Sequence, residues 1–117
     1  MKPIRVYVAG PISHGDTYKS GRRFDNCVAG IKVAEKLWKL GYTPYCPHNS
    51  YWYGLICPHS YEEWLHHDFQ WILQCDALLR MPGKSFGADQ EVEFAKKNNI
   101  PVFHSIEKLK KELPSED

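Results

Sequence analysis

Residues 4–13 read IRVYVAGPIS, a run of β-branched and aromatic residues that stops at Gly10 and Pro11. Such a run is typical of a buried strand, and the glycine–proline pair breaks any regular element. Side chains alternate between the two faces of a strand, so Tyr7 is expected to face away from its two valine neighbours. The segment predicts a first strand over residues 4–9, followed by a turn in which Gly10 lets a ligand approach the backbone.

Helix and strand patterns alternate along the rest of the chain. Apolar residues recur at spacings of three and four from about Thr17 to Leu40, which predicts a helix that Gly41 ends. Ser60 and Glu63 have the spacing of a capping box, which predicts the start of a second helix. Strands are further predicted over residues 42–47, 77–81 and 100–104, and helices over residues 61–73 and 88–97 and after Ser105.

This alternation predicts one α/β domain over residues 1–117. Parallel strands joined by right-handed helical crossovers give a single-domain three-layer sandwich with a four- to five-stranded parallel sheet, flavodoxin- or Rossmann-like. Pro44 and Pro47 confine the second strand to an edge of the sheet or to its last residues. Ligands bind beyond the carboxyl ends of such strands, which places the candidate site at residues 10–13, after Pro47, and at residues 81–87.

The composition limits the classes of function. Lys and Arg number 15 and Asp and Glu 14, a net charge of +1, whereas a polynucleotide-binding face needs an excess of basic residues. No apolar run approaches the ~20 residues that cross a bilayer, and we recognise no secretory leader. We therefore expect a cytoplasmic protein with no membrane or polynucleotide partner, and with reduced thiols at Cys27, Cys46, Cys57 and Cys75.

Two acidic residues are candidates for catalysis. Glu91 lies one turn into a helix whose opening loop begins at Ser85, and backbone N–H groups at such a helix start can hold an anion. Asp68 has Trp64 and Trp71 at i−4 and i+3, so it lies on an aromatic stripe. Two carboxylates, one of them desolvated, would have the separated pKa values that glycosyl chemistry requires.

Simpler interpretations exist for each of these residues. Ser85 caps helices well, and acids near Glu91 are favoured by the helix dipole in any first turn. A lone helical aspartate such as Asp68 is most often a solvated surface acid. Tyr7, taken alone, is a core tyrosine.

The segment of residues 48–60 is predicted to be a long irregular loop that shapes a pocket. It is bordered by two copies of one tripeptide, Cys46-Pro47-His48 and Cys57-Pro58-His59. Their spacing does not match that of structural zinc ligands, so we expect no metal and interpret them as proline-stiffened turns, with a zinc site as a lesser alternative. The chain has no G-x-G-x-x-G fingerprint, P-loop or G-x-S-x-G elbow, and we expect no cofactor.

Several separated motifs, taken in order, resemble the nucleoside 2-deoxyribosyltransferase-like superfamily over roughly residues 4–104, and within it the small DUF4406-type branch. The resemblance implies an N-glycosidic enzyme in which a glutamate attacks the sugar C1′, the base leaves and a glycosyl-enzyme forms. The motifs are residues 7–13, Asn26 with Ala34 and Leu37, Gly41, Pro44 and Pro47, Asp68, residues 75–77, and Ser85-x-Gly87-Ala88-x-x-Glu91.

The resemblance also implies residue roles. Glu91 falls on the position of the nucleophile, and Asp68 on that of the aspartate that positions and protonates the departing base. Tyr7 matches a tyrosine that hydrogen-bonds near the nucleophile. Members commonly complete their sites with a neighbouring subunit, which implies a homodimer or a higher homo-oligomer.

Ser85 indicates the substrate class. Transferases that act on free nucleosides usually carry an acid six positions before the nucleophile, whereas the nucleotide N-hydrolases of the superfamily resemble this chain in carrying serine. A carboxylate would repel a 5′-phosphate that a hydroxyl would bind. We expect hydrolysis or base exchange of a nucleoside 5′-monophosphate, and the alternative is a non-catalytic nucleotide-binding sensor. Further substrate-binding residues are expected at Gly10, Pro11, Ser13, Gly87 and Ala88, with Arg22 or Arg23 adding donors.

The chain departs from the better-known members of the superfamily in two ways. Glu93 stands where transferases commonly have glycine, which leaves Glu91 and Glu93 as rival nucleophiles. Helical geometry favours Glu91, because 200° of rotation separates the two and only one can face the crevice. In the 48–60 loop, Tyr51, Trp52 and Tyr53 offer stacking faces for a nucleobase.

Overall fold

The sheet is built around β1 (Arg5–Ala9), which pairs with a strand on each side. The computed structural model describes residues 2–12 and 22–115. In it, β1 lies between β2 (Thr43–Tyr45) and β3 (Ala77–Arg80), and β4 (Val102–Phe103) lies beyond β3. All three pairings are parallel, so the strand order is β2-β1-β3-β4. The predicted parallel α/β sheet is confirmed, with four strands.

Five helices connect and cover these strands. Three of them begin at a serine that caps the helix: Ser60, Ser85 and Ser105. Ser60 accepts from the Glu63 amide at 3.1 Å while its own amide donates to the Glu63 carboxylate at 2.8 Å. Within the described residues, no helix is long and apolar enough to cross a membrane. The helices are α1 (Arg22–Lys39), α2 (Ser50–Ile56), α3 (Tyr61–Ile72), α4 (Phe86–Lys97) and α5 (Ile106–Glu112).

The two faces of β1 lie in separate cores. Val6 and Val8 pack with residues of α1 and α5 such as Leu37 and Leu109. Tyr7 packs on the opposite face, in the core that α3 and α4 cover. This period-two alternation is the reason for the three-layer arrangement of helices, sheet and helices. It also directs the phenol of Tyr7 towards α4.

The edge position predicted for the second strand is confirmed. β2 pairs only with β1, and Pro44, which has no N–H to donate, lies opposite Val6. A proline is tolerated there because an edge strand needs hydrogen bonds on one side only. The short β2 therefore ends close to the carboxyl end of β1.

The prediction of an irregular loop over residues 48–60 is wrong. A 3₁₀ turn (Pro47–Asn49) leads into α2, whose last turn is closed by the Cys57 amide donating to the Tyr53 carbonyl at 2.8 Å. The Tyr53 ring packs edge-on against Trp64 of α3, with centroids 5.4 Å apart. Tertiary contact with α3 thus supports a helix that has no amphipathic pattern of its own.

Candidate active site

Three buried polar residues from three elements meet under the carboxyl ends of the strands. The Tyr7 hydroxyl donates to Glu91 Oε2 at 2.7 Å, although the two residues are 84 positions apart. Glu91 on α4 is 6% exposed and Asp68 on α3 is 8% exposed. The interpretation of Asp68 as a solvated surface acid is therefore wrong, because the helix face with Trp64 and Trp71 turns it inward.

Burial makes the two carboxyl groups hard to ionise together. It raises the pKa of Glu91 well above its usual range, and the nearby Asp68 charge raises it further, while the Tyr7 hydrogen bond opposes both effects. Burial also raises the pKa of Asp68 to about 6, although interaction with Glu91 counteracts part of the rise. Burial and mutual repulsion therefore favour keeping a proton on one of the two carboxyl groups.

Tyr7 stays a hydrogen-bond donor at any physiological pH. Burial, followed by the charges of Glu91 and Asp68, raises the pKa of its phenol well above the usual range. The ring stacks on Tyr45 of β2, with centroids 5.7 Å apart, and Tyr45 stacks on Trp71 at 5.0 Å. This stack fixes the hydroxyl against Glu91 and links the carboxyl pair to the aromatic side of α3.

One oxygen of this cluster has no partner. Among the described residues, Asp68 Oδ1 is a buried side-chain oxygen that makes no hydrogen bond. Buried carboxylate oxygens are almost always satisfied, because leaving one unpaired costs free energy. An orphan of this kind is explained when a ligand carries the missing donor.

An aromatic cavity of about 430 Å³ lies between α2 and α3, and it is separated from the buried cluster by Tyr45, which stacks on Tyr7; neither Asp68 nor Glu91 lines it. Tyr45, Tyr53, Trp64 and Trp71 supply its aromatic walls. Of the predicted stacking residues only Tyr53 is among them, because Tyr51 packs against Phe24 and Trp52 is 60% exposed. Polar edges come from His59, Glu63 and His67.

The first turn of α4 differs from the predicted anion site in one respect. Ser85 Oγ accepts from the Ala88 amide at 3.1 Å, so that amide is already bonded and does not serve an anion as expected. The amides of Phe86 and Gly87 precede it in the first turn, where helix geometry provides no internal partner. The Ser85 hydroxyl proton is also still available to an acceptor.

The loops that follow β1 and β3 pack directly on each other. A Cβ atom at Gly10 would lie 2.8 Å from Met81 Sδ, and one at Gly83 would lie 2.9 Å from Pro11 Cγ. The absence of a side chain at Gly10 therefore makes room for Met81 rather than for a ligand. Ser13 lies outside the described residues, as do the side chains of Arg22 and Arg23.

The two rival glutamates lie on different sides of α4. Glu91 points into the core towards Tyr7, whereas Glu93 is exposed and lines a separate groove with Phe86 and Phe94. A rotation of 200° along the helix produces this separation. Only Glu91 is in contact with the buried cluster.

The first Cys-Pro-His tripeptide holds the loop after β1. His48 is 1% exposed, and its Nε2 lies 3.2 Å from the Pro11 carbonyl oxygen. A carbonyl only accepts, so Nε2 donates and Nδ1 accepts from the Cys46 thiol at 3.3 Å. Burial lowers the pKa of His48 to about 4 and keeps the ring neutral. No group of three or more potential ligand side chains within the described residues could hold a metal ion.

Gly30→Ala is expected to destabilise the protein by displacing His48. The new Cβ would lie 2.5 Å from the ring, so the ring must move away from Pro11, at a cost of about 1–3 kcal/mol that exceeds the gain in helix propensity. Urea unfolding measures the change. Gly54→Ala is the matched control, since its Cβ would lie 3.6 Å from Trp64, an ordinary contact. Equal stability of Gly30→Ala and the unmutated chain would contradict this account.

Arg80 and Tyr61 were missed by the sequence interpretation. Arg80 is a buried charge at the end of β3, inside a segment that was predicted to be a buried apolar strand. A charged residue in such a strand was the signal that could have found it. The Tyr61 hydroxyl donates to Gln90 Oε1 and lies beside Gly87, at the start of α4. Nothing in the spacing of Tyr61 points to this contact.

Comparison with known proteins gives a family and no activity. The family described as a domain of unknown function, DUF4406, matches residues 4–104. No curated protein matches the chain. The matched range contains β1 to β4 and every member of the buried cluster. The chain belongs to the DUF4406 family.

Proposed function

We propose that this chain cleaves the N-glycosidic bond of a nucleoside 5′-monophosphate through a glycosyl ester on Glu91, as an N-glycoside hydrolase of the nucleoside 2-deoxyribosyltransferase-like superfamily. The observation that carries the proposal is the buried pair of Glu91 and Asp68, in which Tyr7 donates a hydrogen bond to Glu91 and burial raises the pKa of both carboxyls. Glycosidic cleavage with a covalent intermediate needs one carboxylate as nucleophile and one carboxylic acid as proton donor.

The first step uses the proton that the pair already holds. With that proton on Asp68, Glu91 is an ionised nucleophile and Asp68 is a protonated acid. A Glu91 oxygen then bonds to C1′ through an oxocarbenium-like transition state, while the C1′–N bond breaks and its electron pair stays on the base. Asp68 gives its proton to that base nitrogen, so charge and atoms balance.

The second step returns the pair to its starting state. Water attacks C1′, the bond between C1′ and the Glu91 oxygen breaks, and a proton of the water passes to Asp68. Free sugar 5-phosphate leaves, and one proton is again shared. Base exchange differs only in that the nitrogen of a second base attacks C1′ in place of water.

Tyr7 orients the nucleophile in both steps. Its hydroxyl donates to Glu91 Oε2 and so favours the ionised form, which must attack first and leave afterwards. The other carboxylate oxygen is then directed to C1′. Because the phenol is held by the stack with Tyr45, this orientation exists before substrate binds.

The surroundings of the pair support a nucleotide as the substrate. A base in the aromatic cavity would stack on Trp64 or Trp71, and Tyr45 and Trp71 would have to move aside for a ring nitrogen to reach the orphan oxygen of Asp68, which does not line the cavity. The 5′-phosphate would lie at the start of α4, where the Ser85 hydroxyl and the Gly87 amide offer donors and the helix dipole favours an anion.

Release of free base from a panel of ribo- and deoxyribonucleoside monophosphates, with the matching nucleosides beside them, tests the proposal. Chromatography of the reaction mixture follows the free base. We expect release from one or more monophosphates and much slower release from the nucleosides. Saturable nucleotide binding with no release from any monophosphate would refute catalysis and support a nucleotide sensor.

Ser85→Asp is expected to reverse the preference for a phosphate. Aspartate keeps the helix cap, since it is as good an N-cap as serine, but it places a like charge beside the phosphate. The KM for a monophosphate should rise roughly a hundredfold, the effect of losing one charge-assisted bond and gaining a repulsion, while the KM for the nucleoside changes little. Ser85→Thr, which keeps the hydroxyl, is the control. An unchanged ratio of kcat/KM for nucleotide and nucleoside would place the phosphate elsewhere.

A further inference from the structure

The guanidinium of Arg80 connects the end of β3 to the start of α4. Its Nη1 donates to the Met81 carbonyl, and its Nη2 lies 3.0 Å from both the Gly83 carbonyl oxygen and Asp89 Oδ1. The residue is 9% exposed. One side chain therefore holds two backbone carbonyls of the intervening loop and a side chain of the first helical turn.

The loop held in this way, residues 81–85, is exposed at its centre. Residues 82–84 are exposed, and Gly83 has a φ of +113°, a conformation that side chains rarely adopt. A planar guanidinium can donate to several carbonyls at fixed angles, whereas a lysine ammonium acts as a flexible point charge. The conformation that brings Ser85 to the start of α4 thus depends on the shape of Arg80 as well as on its charge.

We infer that Arg80 is a positioning residue for phosphate binding: its guanidinium holds residues 81–85 in the shape that presents Ser85 and the α4 amides to a substrate phosphate. This inference rests on the proposed function. The hydrogen bonds of Arg80 to Met81, Gly83 and Asp89 direct its guanidinium to the loop and the first turn of α4, so Arg80 acts through them.

Arg80→Lys tests this role. Lysine keeps the charge and loses the planar fork, so the affinity for a nucleoside monophosphate should fall roughly ten- to hundredfold while the affinity for the matching nucleoside changes little. Asp89→Asn removes the exposed charge of the ion pair but keeps an oxygen acceptor for Arg80, so it should weaken monophosphate binding less than Arg80→Lys does.

Two measurements on the whole chain record this effect. Amide NMR spectra of the protein without ligand report the conformation of residues 81–88 and identify a variant that has lost the fold. Calorimetry with a nucleoside monophosphate and with the matching nucleoside reports the two affinities. If Arg80→Lys does not fold, Arg80→Gln, whose planar amide can still donate to one carbonyl, takes its place.

The outcomes distinguish failure of this inference from failure of the proposed reaction. Unchanged amide signals of residues 81–88 in folded Arg80→Lys would overturn the role of Arg80 in the loop, whatever the protein catalyses. Unchanged monophosphate affinity in Arg80→Lys, or no nucleotide binding by the unmutated chain, would overturn its role in phosphate binding. Nucleotide binding that weakens in Arg80→Lys, in a protein that releases no base, would support the inference and refute the reaction.

Discussion

Glu91→Gln should lower the rate of base release by roughly 10⁴-fold or more while nucleotide binding persists. The amide has nearly the same shape as the carboxyl group, and its oxygen can still accept the Tyr7 hydrogen bond of 2.7 Å. It cannot form an ester with C1′, so both chemical steps lose their nucleophile. Single-turnover base release and calorimetric binding of the same monophosphate measure the two properties.

A covalent intermediate provides an independent check on the same residue. Acid quenching during turnover should trap a sugar phosphate on the peptide that contains Glu91, and mass spectrometry should detect it in the unmutated chain only. Glu93→Gln is the matched control, two residues away on the exposed side of α4, and should keep nearly full activity. Activity that survives in Glu91→Gln but not in Glu93→Gln would show that the nucleophile was assigned to the wrong glutamate.

Asp68→Asn should lower kcat/KM for natural nucleotides by roughly 10²- to 10⁴-fold, because the departing base no longer receives a proton. The loss should be much smaller for a substrate whose leaving group departs as a stable anion. In the unmutated chain the rate should fall at low pH, where both carboxyls are protonated, and at high pH, where neither is. The high-pH fall should disappear in Asp68→Asn. An equal loss for both kinds of leaving group would contradict the role of acid.

The same substitution has an expected effect on stability that depends on pH. The pKa of Asp68 is about 6 in the folded chain and about 3.8 when exposed, so the folded state binds more protons between these values and loses stability as the pH rises through them. The difference corresponds to about 3 kcal/mol at most. Urea unfolding at pH 8 should therefore favour Asp68→Asn over the unmutated chain, and the advantage should vanish below pH 4. A stability difference that is the same at both values would contradict this linkage.

The architecture could be predicted because its signals are local. The strand over residues 5–9 follows from the period of its side chains. The capping box of Ser60 needs only Glu63, three positions away, and the edge position of Pro44 follows from its missing N–H. Each of these acts within a few residues. The helix α2 was not predicted because its stability comes from packing on Trp64 rather than from its own pattern.

The candidate site was predictable only in part. Motif resemblance and helical rotation singled out Glu91, and the aromatic neighbours at i−4 and i+3 drew attention to Asp68. Arg80 was missed because its acceptors, the Met81 and Gly83 carbonyls and the Asp89 carboxylate, come within reach only when the loop after β3 is folded. The bond between the Ala88 amide and Ser85 likewise depends on how the first turn of α4 closes.

By itself the sequence determined the alternation of strands and helices other than α2, the parallel sheet and the faces on which Tyr7 and Glu91 lie, because period and caps are properties of neighbouring residues. Only the tertiary structure decided that Tyr7 bonds to Glu91 across 84 positions, that Asp68 is buried with an unpaired oxygen, and that the two carboxyls lie close enough to affect each other's ionisation. Burial and charge coupling depend on distances through space, and those distances exist once the sheet and both helix layers have packed.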